Sequence, residues 1–244
     1  MKQKVPVQIQ AGRPECGTDP GNTDACGGFA NQGAYAIMQV IRICGGNALR
    51  LNSKEEDTCM QKYLNSVFAG FLIGIGNLAI ISTDRYVGAF LFSVALLSII
   101  ELRLPLYTGR IGKILTNRNP VELLLMLCLN ALGAMIPTGL FLLMDPANLE
   151  KLQTVCSAKY SRSYLTLFAA GILCNVLIHT AVSAKRELIT VLCIMCFILC
   201  GFEHSIADAG YLPVGGSILK WLVIVAGNTV GGIGTELLVR KDPL

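Results

Sequence analysis

The sequence predicts an all-α membrane protein: six transmembrane helices in two inverted three-helix repeats, with the second and fifth spans broken. Three observations predict it. First, 53% of the 244 residues are hydrophobic and 15% charged, with a mean hydropathy of +0.57, whereas soluble domains carry about 25% charged residues. Second, six apolar runs (64–83, 86–107, 121–144, 163–183, 188–207 and 217–239) each approach the roughly 20 residues that a bilayer-spanning helix needs. They leave no room for a separate soluble catalytic domain. Third, the runs form two sets of three that repeat one pattern. An odd number of spans per repeat requires the halves to be inverted, an arrangement in which broken helices meet near the bilayer midplane.

Residues 1–63 are a polar, Gly-rich segment punctuated by Pro6, Pro14 and Pro20. They have no apolar core of the signal-peptide kind and are read as a cytoplasmic tail. Within it 35–43 is a short apolar stretch, and 54–63 is an amphipathic lead-in helix with Ser53 as cap and Glu56 three residues on. A tail leading straight into the first span is placed to cover the inner pore mouth. Disorder or contact between subunits is the other reading.

The first span carries Gly70, Gly74 and Gly76, and the fourth Gly171 followed by Asn175. Small residues there allow helices to pack backbone to backbone. The second span is interrupted at Leu104-Pro105-Leu106-Tyr107-Thr108-Gly109, and the fifth at Gly201-Phe202-Glu203-His204. Each third span holds Asn-x-x-Gly, at Asn130–Gly133 and Asn228–Gly231. Residues 64–239 thus form one channel-like domain, with 240–244 as a short second tail.

Orientation follows from basic residues. With both termini inside, the inner loops hold Arg110, Lys113, Arg118, Lys185, Arg186, Arg240 and Lys241, against Arg85, Lys151, Lys159 and Arg162 outside. Of ten cysteines, Cys128, Cys156, Cys174, Cys193, Cys196 and Cys200 lie in or beside spans, where Cys acts as a small apolar residue. Cys193, Cys196 and Cys200 share a helical face, read as helix–helix packing rather than a thiolate metal site. Cys16 and Cys26 face a reducing compartment and are not paired.

An ionisable residue at membrane depth marks a pathway or a relay by default. His204 is the outstanding case, expected to be neutral and to donate a hydrogen bond. Glu203 beside it is read as structural, bonding backbone freed by the break. Asn130 and Asn228 are expected to bond exposed backbone at the opposite break. His179 is read as packing or an inter-helix hydrogen bond. No nucleophile–base pair, phosphate loop or nucleic-acid patch is present, so the chain reads as a non-enzyme.

In these stretches the chain resembles the formate/nitrite transporter family: Gly-Phe-Glu-His-Ser-Ile-Ala at 201–207, Gly-Asn-Thr-Val-Gly-Gly at 227–232, Gly-Ile-Leu-Cys-Asn at 171–175, Leu-Tyr-Thr-Gly at 106–109 and Ala-Gly-Phe-Leu-Ile-Gly-Ile-Gly at 69–76. The resemblance covers about 60–240. It implies an aquaporin-like protomer, a homopentamer in the plasma membrane with one pore per subunit, and passage of small monovalent weak-acid anions: formate, nitrite, hydrosulfide, acetate or lactate. It places His204 at the pore centre and Thr108 facing it, with Asn228 and Lys159 in support. Constrictions would fall near Phe92, Leu96, Leu106 and Phe197. It implies no cofactor or metal.

Departures surround one side of the pore. Arg103, Leu104 and Pro105 replace a small, apolar and acidic approach, Tyr107 stands where Phe is usual, and Arg110 replaces an Asn. Since an isolated charge in low dielectric is very costly, the anion is expected to become neutral at the centre by taking a proton, from His204 or relayed by water. Helix N-termini at the breaks and Lys159 at the outer mouth would lower the cost of entry. Two other classes stay open: a membrane redox subunit with haem on His179 and His204, and a neutral-solute channel.

Overall fold

The computed structural model describes residues 53–117, 119–184 and 186–239. The tail readings on 1–52 lie outside them. Among the described residues the structure is entirely helical. The helices are α1 (Ser53–Ser82), α2 (Arg85–Glu101), α3 (Tyr107–Arg110), α4 (Ile114–Asn117), α5 (Pro120–Met144), α6 (Asn148–Tyr160), α7 (Tyr164–Ala184), α8 (Glu187–Leu199), α9 (Ser205–Ala209) and α10 (Ile218–Leu238), with short 3-10 turns at Ile111–Lys113 and Leu212–Val214. Among the described residues four helical stretches are long and apolar enough to cross a membrane: Met60–Ser82, Pro120–Met144, Tyr164–Ala184 and Ile218–Leu238.

The lead-in is not a separate helix, because α1 runs unbroken from Ser53 through the first apolar run. Local signals set the helix starts. Asp84 Oδ1 accepts the Tyr86 and Val87 N–H groups, and Asn119 Oδ1 accepts that of Glu122 with Pro120 at the first helical position. These are side-chain caps on otherwise orphaned donors.

The second and fifth apolar runs do not continue as helix to Tyr107 and Ala207. Both end in the same hydrogen-bonded turn. After α2, Arg103 N–H bonds Ile100 O at 3.1 Å and Leu104 N–H bonds Ile99 O at 2.9 Å. After α8, Gly201 N–H bonds Ile198 O at 3.1 Å and Phe202 N–H bonds Phe197 O at 2.9 Å. This is the Schellman arrangement, which needs a left-handed residue at the position filled by Arg103 (φ +54°) and Gly201 (φ +71°). Glycine adopts that conformation freely, whereas a residue with a Cβ is strained there by ~1 kcal/mol. Pro105 then disfavours helical backbone at Leu104, and helix resumes at Tyr107.

After each turn the chain makes one short helix that packs into the other half. α9 sits against α1 and α5, α3 sits against α7 and α10, and the two short helices touch. The long pairs α1–α5 and α7–α10 are brought very close by glycine. A Cβ on Gly133 would stand 2.0 Å from Val67 O, and one on Gly231 would stand 2.3 Å from Ile172 O.

The outer segment after Met144, to which the sequence reading assigned no secondary structure, carries α6. Its buried residues Leu152, Cys156 and Tyr160 recur every four positions, a helical stripe visible in the sequence but short. Cys196 and Cys200 are exposed and Cys193 half-buried, all free thiols. Their shared face is turned outward, so the expected packing of that face is not made within this chain.

Candidate functional site

The centre of the molecule is where α3 and α9 begin. His204 caps α9, its Nδ1 accepting the Ala207 N–H at 3.2 Å. The neutral ring therefore carries its proton on Nε2, which lies 2.9 Å from Thr108 Oγ1; this tautomer is assigned from the hydrogen-bond pattern. Nε2–H donates to Thr108, leaving the threonine hydroxyl proton to point elsewhere. Both side chains are buried, and the Phe197 ring stacks on the imidazole at 6.0 Å. With both ring nitrogens engaged, His204 offers none to a haem iron.

The breaks release backbone groups that cannot be left unpaired in an apolar interior. One asparagine serves each. Asn130 Oδ1 accepts the Tyr107 N–H at 2.8 Å, while its Nδ2 donates to Ser66 O at 2.6 Å and Pro105 O at 3.0 Å. Asn228 Oδ1 accepts the Ser205 N–H at 2.8 Å, and its Nδ2 donates to Gly171 O at 2.8 Å and Glu203 O at 2.9 Å. Each clamp thus holds the break of its own half, not the opposite one.

Glu203 bonds no freed backbone through its carboxylate. It joins a four-charge cluster instead. Lys159 Nζ is bonded to Glu203 Oε2 and lies 2.7 Å from Asp208 Oδ1, and Arg162 Nη1 lies 2.6 Å from Glu203 Oε1 and 3.0 Å from Gly201 O. The two carboxylates are 2% and 1% exposed, so their pairing is what makes burial tolerable. Burial alone would push the Lys159 ammonium down, but Asp208 and Glu203 hold it well above the ordinary lysine value. Lys159 is therefore not the free mouth charge that the sequence suggested. Its charge is consumed locally.

Sequence reasoning missed Asp208 and Tyr211. Tyr211 lies under the Lys159 ammonium at 5.7 Å and donates to Asn77 Oδ1 at 3.1 Å. Asp208 lies four residues from His204, a spacing that could have flagged it. His179 stands apart, its Nε2 3.1 Å from Glu236 Oε2 on α10.

Phe92 meets Phe197 edge-to-face at 5.9 Å. Leu96 and Leu106 line a cavity of ≈ 650 Å³ beside the first break. Tyr107, buried, bonds Thr229 Oγ1 at 2.8 Å through its hydroxyl, which ties α3 to α10 in a way that a Phe could not.

Residues 48–240 match the family model described as formate/nitrite transporter. The chain belongs to the formate/nitrite transporter family. Members are membrane channels and transporters rather than enzymes. Among solved structures the chain is similar to a "Pentameric formate channel with formate bound", at 20% identity and TM-score 0.60, covering 72% of this chain and 94% of that one. It is also similar to an "FNT family ion channel", at 22% identity and TM-score 0.63, covering 80% and 95%. No curated protein matches the chain. At such identities the solved structures show a shared fold. Within that family fold, the paired breaks, the two asparagine clamps and the Thr108–His204 contact are the features built from this chain's own residues.

Proposed function

We propose that this formate/nitrite transporter family member passes small monovalent weak-acid anions of the formate, nitrite, acetate, lactate and hydrosulfide class along a path between the two breaks, coupled to a proton. The Thr108–His204 contact carries the reading: two polar side chains meet at 2.9 Å where two interrupted helices converge. Leu96 and Leu106 line the cavity beside the first break, and Phe92 meets Phe197, whose ring stacks on His204. Asn130 and Asn228 hold the breaks open for the path, and Glu203 and Lys159 position the second break.

The geometry favours one of the two proton routes. Protonating Nδ1 of His204 would set its N–H against the Ala207 N–H, so His204 acts as a hydrogen-bond donor and not as the acid. Water supplies the proton. Ser205 Oγ and Asp208 Oδ2, buried without a partner among the described residues, are suited to hold it. A weak acid neutralised at the centre crosses the apolar rings without the cost of a bare charge.

The wider organisation belongs to the same proposal: six spans as two inverted repeats, a plasma-membrane location with both termini in the cytoplasm, and a homopentamer with one path per subunit. Its support is the matched Schellman turns and matched asparagine clamps of the two halves, together with the pentameric state of the similar formate channel.

The test is uptake of formate, nitrite, lactate and acetate into proteoliposomes across a pH step. The expected result is uptake driven by inward proton flow. Chloride flux equal to formate flux would overturn it, since chloride cannot be neutralised.

A further inference from the structure

The four charges beside the second break cancel one another: Lys159 and Arg162 face Glu203 and Asp208. The first break is different. The ≈ 650 Å³ cavity there is lined by Arg103, Arg110, Lys113 and Arg186 against Glu101 and Glu187. Among the described residues none of these four cations makes an ion pair or a side-chain hydrogen bond. They come from the turn after α2, from α3, from the Ile111–Lys113 turn and from the residue before α8, so no single helix face explains their convergence. Arg103 is held there in the left-handed conformation that the second break gives to Gly201. A side chain kept at a strained position, on the wall of a cavity, is placed for what its charge does.

We infer that this cavity binds an oxyanion bearing two or more negative charges, of the phosphate or pyrophosphate class, which closes the path from that side. Three guanidinium groups and an ammonium converge on one space, and a guanidinium presents paired donors that match phosphate oxygens. Two or more charges per molecule suit several cations better than a monovalent substrate does. Such an anion cannot go further, because apolar side chains that include Leu96 and Leu106 line the cavity and a multiply charged ion cannot be neutralised by a single proton. It stays and occludes. The occlusion rests on the transport reading above, whereas the binding does not.

The experiment titrates inorganic pyrophosphate, free of magnesium and at fixed ionic strength, into the purified full-length chain in neutral-lipid nanodiscs, and reads heat and melting temperature. Binding is expected in the millimolar range, weakened about threefold by each of Arg103→Gly and Arg110→Gln. Arg103→Gly relieves backbone strain, so its weaker binding will not be loss of fold; its melting temperature without ligand is expected to rise. Binding that is absent, or unchanged in both variants, overturns the inference. Nanodiscs with added anionic phospholipid separate the sources of phosphate: if a lipid headgroup is the occupant, pyrophosphate affinity falls there and not in neutral lipid. Formate flux in sided vesicles is then measured with pyrophosphate on one face at a time. Slowing severalfold from the cavity side alone supports the block. Binding without slowing overturns the block and leaves the binding site standing, and absence of formate flux in the wild type overturns the transport reading alone.

Discussion

His204 makes two hydrogen bonds, and their separate loss is testable. Asn is a favoured helix cap, so His204→Asn keeps a partner for the Ala207 N–H but is too short to hold Thr108. Its melting temperature is expected to stay near wild type while formate flux falls about tenfold, the equivalent of one lost hydrogen bond of ~1.4 kcal/mol in the transport barrier. Asn228→Ala is the contrasting case. It leaves the Ser205 N–H and the carbonyls of Gly171 and Glu203 without their partner in a fully buried place, and is expected to destabilise by about 3 kcal/mol, read by thermal unfolding in detergent. Lys159 has its folded value raised, so its own ammonium stays charged at every pH below the ordinary lysine range, and its deprotonation removes the pairing only as pH rises above that range. The pH dependence of flux between about 5 and 8 is therefore expected to survive in a Lys159→Arg variant, measured by the same vesicle assay. His204 was legible in the sequence because an ionisable residue beside a helix break stands out against an apolar run, whereas Thr108 came from the family resemblance. Asp208 offered only its four-residue spacing from His204, and Tyr211 offered nothing, because the role of both depends on where α6 folds back.

Among the elements, the breaks are where sequence and structure correspond most closely and where they also part. Gly201 announced the end of α8. Arg103 announced nothing, since a non-glycine residue in a left-handed position carries no local signal, and only Pro105 marked the place. The shared Schellman geometry makes Arg103→Gly the substitution that repairs the difference, and a gain of ~1 kcal/mol in stability is expected from a denaturation curve. The close helix pairs make the opposite prediction. Gly231→Ala puts a methyl group 2.3 Å from Ile172 O, against backbone that cannot rotate away. It is expected to cost about 2 kcal/mol or more, read as a fall in melting temperature. The long helices were plain from hydropathy. α6 was not, because a short polar helix draws its stability from the face it buries, and single-chain periodicity over thirteen residues is a weak signal.

At the scale of the whole molecule, apolar side chains such as Leu143, Leu165 and Leu238 are 83%, 77% and 88% exposed, as expected of surfaces that meet lipid or a neighbouring copy. If the pentamer proposed above is right, native mass spectrometry in mild detergent will find five chains. The outward cysteine face at Cys196 and Cys200 follows the same rule: periodicity tells which residues share a face, not what that face meets. The charge cluster at the second break has a consequence for biosynthesis. Lys159 and Arg162 leave the ribosome before Glu203 and Asp208, so the cations wait at one membrane surface for carboxylates that arrive inside a later hydrophobic segment. Insertion of that segment is completed by partners already synthesised. A chain lacking Lys159 will stall there as an unassembled intermediate and be removed by quality control, so its phenotype in cells will be missing protein rather than slow transport.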